Sequence, residues 1–103
     1  MTVPFVYAFE WGPAKAEENT TKHGVAFELA VSIFRDALML TVYDEEHSEA
    51  EERWATLGQA ENGKLLVVIH TFGETEPASA TVQIISTREA TRRERENYEQ
   101  TPR

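Results

Sequence analysis

Apolar positions recur along the chain with two periods, and the switches between them mark the elements. Pro4 to Glu10 (PFVYAFE) is apolar and aromatic and predicts a first strand. Gly12-Pro13 then opens a helix, since proline at the first helical position loses only an amide that had no partner. The segment AKAEENTTKH continues it to about His23, and Gly24 stands where a left-handed cap is needed. In AFELAVSIFRDA, Phe27, Ala30, Val31 and Phe34 fall at i, i+3, i+4 and i+7, the single stripe of a second helix. Leu38 to Tyr43 (LMLTVY) returns to strand formers and ends at an acidic turn, and RWATLG (53–58) follows as another strand. Asn62-Gly63 tips a hairpin. The most apolar run, KLLVVIHT (64–71), fits a central strand covered on both faces.

FGETEPASA (72–80) is polar, with Gly and Pro, and is expected to be the longest loop; TVQIIS (81–86) is expected to be the last strand. Thr91-Arg92-Arg93-Glu94 has the form of a capping box, so a final helix should run from about Arg92 to Gln100. The expected architecture is α+β: a small domain spanning 1–103, with an antiparallel sheet of four to five strands, two N-terminal helices and one C-terminal helix.

Composition narrows the function classes. With 103 residues and 41% apolar content the chain has enough buryable surface for one core. No apolar window reaches the roughly 18 residues of a membrane span, and MTVPFVYAF lacks a basic region and cleavage site, so a soluble, cytoplasmic protein is expected. Cysteine is absent, which removes thiolate nucleophiles and cysteine metal sites.

The net charge of −8 argues against a nucleic-acid partner until it is resolved by segment. Residues 1–43 carry −2, 44–64 carry −5, 65–87 carry −2, and 88–103 carry +1. The acidity is concentrated in DEEHSEAEER (44–53), and the positive end holds Arg88, Arg92, Arg93, Arg95 and Arg103.

His23, His47 and His70 have no metal-ligand spacing, and no phosphate-binding or nucleophile-elbow glycine pattern is present. Arginines, histidines and a tyrosine remain. RNA cleavage without a metal needs proton transfers, which suit histidine, and stabilisation of phosphoryl charge, which suits the planar arginine fork. By alternation His70 shares a strand face with Leu66 and Val68. Arg88 is expected just past the last strand, projecting onto the face of Val82 and Ile84. Arg92, Arg93 and Arg95 crowd a helix N-terminus, where a bound phosphate would relieve their repulsion with the helix dipole. Lys22 ends the first helix, and Tyr98 suits either core packing or a phenol in a site.

The ordered set Phe9-Glu10-Trp11-x-Pro13-x-Lys15, Asn19, Lys22-His23-Gly24-Val25-x-Phe27, His47-Ser48, Glu51-Glu52-Arg53, Leu65-Leu66-Val67-Val68 with His70-Thr71, and Ile84-Ile85-Ser86-x-Arg88-x-Ala90-Thr91-Arg92-Arg93-Glu94-Arg95 with Tyr98 resembles the BrnT family of ribonuclease toxins. The resemblance covers about Phe9 to Glu99. It implies a RelE-like fold, a metal-independent endoribonuclease that inhibits translation, and neutralisation by a BrnA-like antitoxin in a hetero-oligomer that reaches operator DNA only through the antitoxin. It calls for no cofactor. It implies catalytic parts for His70, Arg88 and Arg92, and substrate contacts from Arg93, Arg53, Tyr98 and Lys22.

The sequence departs from the family pattern where charge matters. Gly12 stands in place of the usual aspartate, Gln83 where a basic residue is usual, Thr87 within the Ser-Ala-Arg pattern, and Glu89 at an often basic position; 72–80 has no arginine. RNA affinity then rests on few arginines. The same losses motivate a second reading, a catalytically weakened binding module that serves mainly as the antitoxin's partner in an autoregulatory repressor.

Overall fold

The structure is a computed structural model in which residues 6–102 are described. Six strands, β1 (Val6–Glu10), β2 (Leu40–Tyr43), β3 (Trp54–Gln59), β4 (Leu65–His70), β5 (Gly73–Glu76) and β6 (Ser79–Glu89), combine with helices α1 (Pro13–His23), α2 (Phe27–Val31) and α3 (Arg92–Gln100). Short 3-10 turns cover Ser32–Arg35 and Glu45–His47. The α+β class, two helices early and one at the end, is as expected. Pro4 and Phe5 of the expected first strand lie outside the described residues, as does Arg103.

The strands run in the order β1-β6-β4-β3-β2, with β5 also hydrogen-bonded to β6. The sheet is mixed where a wholly antiparallel one was expected: β1 pairs with β6 in parallel, Phe9 opposite Val82. α1, α2 and β2 to β5 all intervene between them, the long crossover that a parallel pair needs.

The polar stretch expected to be a loop, 72–80, is a correction. Gly73–Glu76 forms a strand against Ala80 and Thr81, and β6 begins at Ser79. GETE has no strand preference of its own; pairing with an existing strand supplies it. The turn between them holds Ala78 at φ +64°, a conformation unfavourable for any residue with a Cβ.

β6 also runs on to Glu89, so Arg88 lies within the strand and not past its end. Ile69 pairs with Ser86 but His70 pairs with Ile84, leaving Ile85 as an extra residue on β6. Such a bulge inverts the alternation of everything after it. Val82, Ile84 and Thr87 face the core, while Arg88, opposite Val67, faces the other side of the sheet. The expectation that Arg88 shares the face of Val82 and Ile84 is corrected on this ground.

The core lies between the sheet and the early helices: Phe27, Ala30, Ile33 and Phe34 pack on Leu66, Val68, Val82 and Ile84. Complete burial of each large apolar side chain contributes about 1.5–3 kcal/mol. The expected second helix splits, because Ser32 turns its hydroxyl back to the Leu29 carbonyl at 2.6 Å and the chain tightens into a 3-10 turn. That turn rests directly on β3: a Cβ on Gly58 would stand 3.0 Å from the Ile33 Cβ, so only glycine admits the approach. α1 ends as expected, Gly24 at φ +69° donating its N–H to the Thr20 carbonyl at 2.8 Å. α3 lies on the opposite face of the sheet, giving three layers.

Candidate functional site

Polar groups collect on both faces of the sheet, in different states. On the core face His70 is 2% exposed. Its Nδ1 stands 2.8 Å from the Thr71 carbonyl, which can only accept, so Nδ1 carries the proton. In the neutral ring Nε2 accepts from the Thr56 hydroxyl at 2.7 Å, which leaves Thr56 to accept from Thr41 at 2.8 Å. The Phe34 ring meets the imidazole edge-on at 5.1 Å. Burial pushes the His70 pKa below its ordinary 6.5, opposed by the bond to the Thr71 carbonyl. The imidazole is thus neutral, satisfied and buried. With Tyr7, Phe34, Met39, Thr41, Trp54 and Phe72 it lines the floor of a half-open apolar cleft of about 280 Å³.

On the α3 face Arg88 is half-buried and ionically fixed. Its Nη1 and Nη2 donate to the two Glu94 carboxylate oxygens at 2.7 and 2.9 Å, and Nη1 donates again to the Glu89 carbonyl at 3.3 Å. Glu94 also completes the expected capping box: its carboxylate accepts from the Thr91 N–H at 2.8 Å while its own N–H donates to the Thr91 hydroxyl at 3.2 Å. These bonds, Arg88 first, hold the Glu94 pKa down to about 2, and the same pair raises that of Arg88. Among the described residues, the Arg88 Nε–H and the remaining Nη2–H have no acceptor. The fork is held at its tip by Glu94 and open along its side.

Ser86 is two residues before Arg88 on the same side of β6, and it lines a cleft with Lys15, Lys22 and His23 of α1. α1 is fixed there by Asn19, whose buried amide donates to the Val25 and Thr87 carbonyls at 3.0 and 2.9 Å and accepts from the Thr87 N–H at 3.0 Å. Arg92 and Arg93 are exposed in the first turn of α3, Arg92 reaching Glu96 at 3.5 Å.

Tyr98 instead anchors the far end of α3, its hydroxyl donating to Asp36, which also accepts from the Gln59 N–H at 2.8 Å. Arg53 closes the acidic loop: its N–H donates to Ser48 Oγ at 3.0 Å, its carbonyl accepts from the Asp44 N–H at 2.9 Å, and its guanidinium leans on Glu51 at 3.5 Å. The structure therefore puts Arg88, followed at the start of α3 by Arg92 and Arg93, on the α3 side of the sheet and His70 on the opposite face, while Lys22 lines the separate cleft at α1.

The orienting carboxylate of Glu94 was missed as a site residue by sequence reasoning, which saw only its capping role. The spacing from Arg88 to Glu94 across a strand-to-helix turn is the signal that could have found it. Among the described residues no group of three or more His, Asp or Glu side chains stands together to hold a metal. No helix there is long and apolar enough to cross a membrane.

Comparison with known proteins gives the class first: the chain matches a family of toxins from type II toxin–antitoxin systems. The matching family model is described as "Ribonuclease toxin, BrnT, of type II toxin-antitoxin system" and covers residues 11–94. The chain belongs to the BrnT family. The crystal structure of the Brucella abortus ribonuclease toxin BrnT is similar in fold, with a TM-score of 0.52, 21% identity, and coverage of 84% of this chain and 99% of that one. No curated protein matches the chain. The family match ends at Glu94, so it takes in Arg88, the capping box and the clamp between them, but not Tyr98.

Proposed function

We propose that this toxin is a metal-independent endoribonuclease, needing no cofactor, that holds the scissile phosphate on the open side of the Arg88 guanidinium. The observation that carries this reading is the clamp itself. Glu94 takes the tip of the fork and fixes its plane, leaving along its side the parallel Nε–H and second Nη2–H, the pair a phosphate accepts bidentately. A guanidinium already oriented stabilises the charge that develops on the phosphoryl oxygens without reorganising in the transition state.

Arg92 and Arg93 supply neighbouring positive charge at the α3 N-terminus, itself favourable for anions, and Lys22 supplies it from the α1 side. His70 takes no proton transfer in this reading, being buried, neutral and on the other face. Arg53 and Tyr98 act on the scaffold, by closing the 44–53 loop and tying down α3. In the cell a BrnA-like antitoxin would neutralise the toxin in a hetero-oligomer, and operator DNA would be reached through the antitoxin alone.

Two assays test the reading. Induction without antitoxin should arrest growth and degrade RNA, and purified protein should cleave RNA in EDTA. Soluble wild-type protein that does neither contradicts the nuclease and leaves the binding-module reading, a toxin homologue retained for its antitoxin complex.

A further inference from the structure

β2 ends the sheet, and no described strand pairs with its outer edge. An open edge presents unpaired N–H and C=O groups to any extended segment that approaches. Proteins usually protect such edges with charge or proline, yet Leu40-Thr41-Val42-Tyr43 has neither, and Val42 and Tyr43 are 61% and 43% exposed.

The edge is flanked by an apolar concavity on each face. On the core face lies the cleft of Thr41, Trp54, Phe34 and Phe72, with Phe72 42% exposed. On the α3 face lies a second open trough of about 300 Å³, formed by Leu40, Val42, Ala55, Leu57 and Val67 and bounded by Glu94 and Asn97. An added strand would drop successive side chains alternately to the two faces, one set toward each concavity.

Charge selects the occupant. β2 runs directly into Asp44–Arg53, which carries six carboxylates and a single arginine, Arg53, leaning on Glu51 at 3.5 Å, and the loop departs beside the Tyr43–Trp54 ring pair, 5.2 Å apart. RNA would be repelled there; a basic protein segment would be drawn in.

We propose that the outer edge of β2 is the antitoxin-docking strand: an extended antitoxin segment pairs with Leu40–Tyr43, seats alternating apolar side chains in the two concavities, and sets flanking Lys or Arg against Asp44–Glu52. The α3-side trough ends at Glu94, so the docked segment also covers the flank of the Arg88 clamp. This rests on the antitoxin part of the proposed function and is independent of nuclease activity.

The test is the affinity of the purified full-length chain for its purified cognate antitoxin. Val42→Lys and Phe72→Ala, both at exposed positions, should each weaken binding about tenfold or more. Glu49→Lys/Glu51→Lys/Glu52→Lys should slow association about tenfold at low salt, with the difference vanishing at high salt. Amide exchange at residues 40–43 should slow in the complex. Unchanged affinity in folded Val42→Lys and Phe72→Ala proteins, or protection elsewhere with none on β2, overturns the docking strand while leaving the antitoxin partnership intact. Self-association of the toxin that Val42→Lys abolishes, with antitoxin binding unaffected, also overturns it. A wild-type chain that forms no complex overturns the partnership itself.

Discussion

The two faces of the sheet carry polar groups in opposite states. His70 is buried and has each ring nitrogen matched within the protein, by the Thr56 hydroxyl and the Thr71 carbonyl at the β4 end. Arg88 is matched on one side only, and the carboxylate that matches it also caps the following helix. In the proposed function this difference assigns the phosphate to Arg88 and not to His70: a buried group with complete bonds gains nothing from a substrate. A half-satisfied, rigidly held cation does.

The largest expected effect lies on the Arg88 side. Arg88→Ala should lower RNA cleavage by about 10²-fold or more, with only a small fall in melting temperature, as removal of one preorganised charge-stabilising group does. Arg88→Lys should recover little, since an ammonium cannot span the Glu94 carboxylate and a phosphate together. Next in size is His70→Ala, which vacates a packed site against Phe34 and orphans the Thr56 hydroxyl. A loss of about 3 kcal/mol in denaturant unfolding is expected. His70→Gln should be milder and, where folded, should cleave as wild type does.

Glu94→Gln comes third. It removes both the charge on the fork and the strong acceptor of the cap, and should cost about 1 kcal/mol while lowering cleavage about tenfold through a loosened Arg88. Its pH signature is specific. The Glu94 pKa is depressed from 4.5 to about 2, so the stabilisation is full above about pH 4.5 and is lost as pH falls toward 2. The glutamine variant should lack that limb of the acid-unfolding profile.

The smallest effect belongs to His70 titration. With its folded pKa below 6.5, the unfolded chain binds the proton first, so stability should decline as pH falls through 6.5. His70→Gln should flatten the decline, while cleavage follows no such limb.

Much of this was legible locally. The capping box at Thr91–Glu94, the left-handed cap at Gly24 and the apolar run of β4 are each specified by a few adjacent residues, and each formed as read. What was not legible depends on distant partners. GETE became a strand only because β6 was there to pair with, and the parallel seat of β1 is set by the whole crossover. The single extra residue at Ile85 had the greatest consequence, because alternation alone put Arg88 on the face of Val82 and Ile84 and the bulge turns it to the other. Glu94 was read for its cap and not its clamp, since a bidentate contact across a turn leaves no periodic trace.

RNA cleavage in EDTA by purified wild-type, His70→Gln and Arg88→Ala proteins, each shown folded by its thermal melt, tests the division of the sheet most directly. Cleavage by the wild type and by His70→Gln, with none by Arg88→Ala, is the expected result. Cleavage lost with His70→Gln and kept with Arg88→Ala would place the chemistry on the core face and contradict the account.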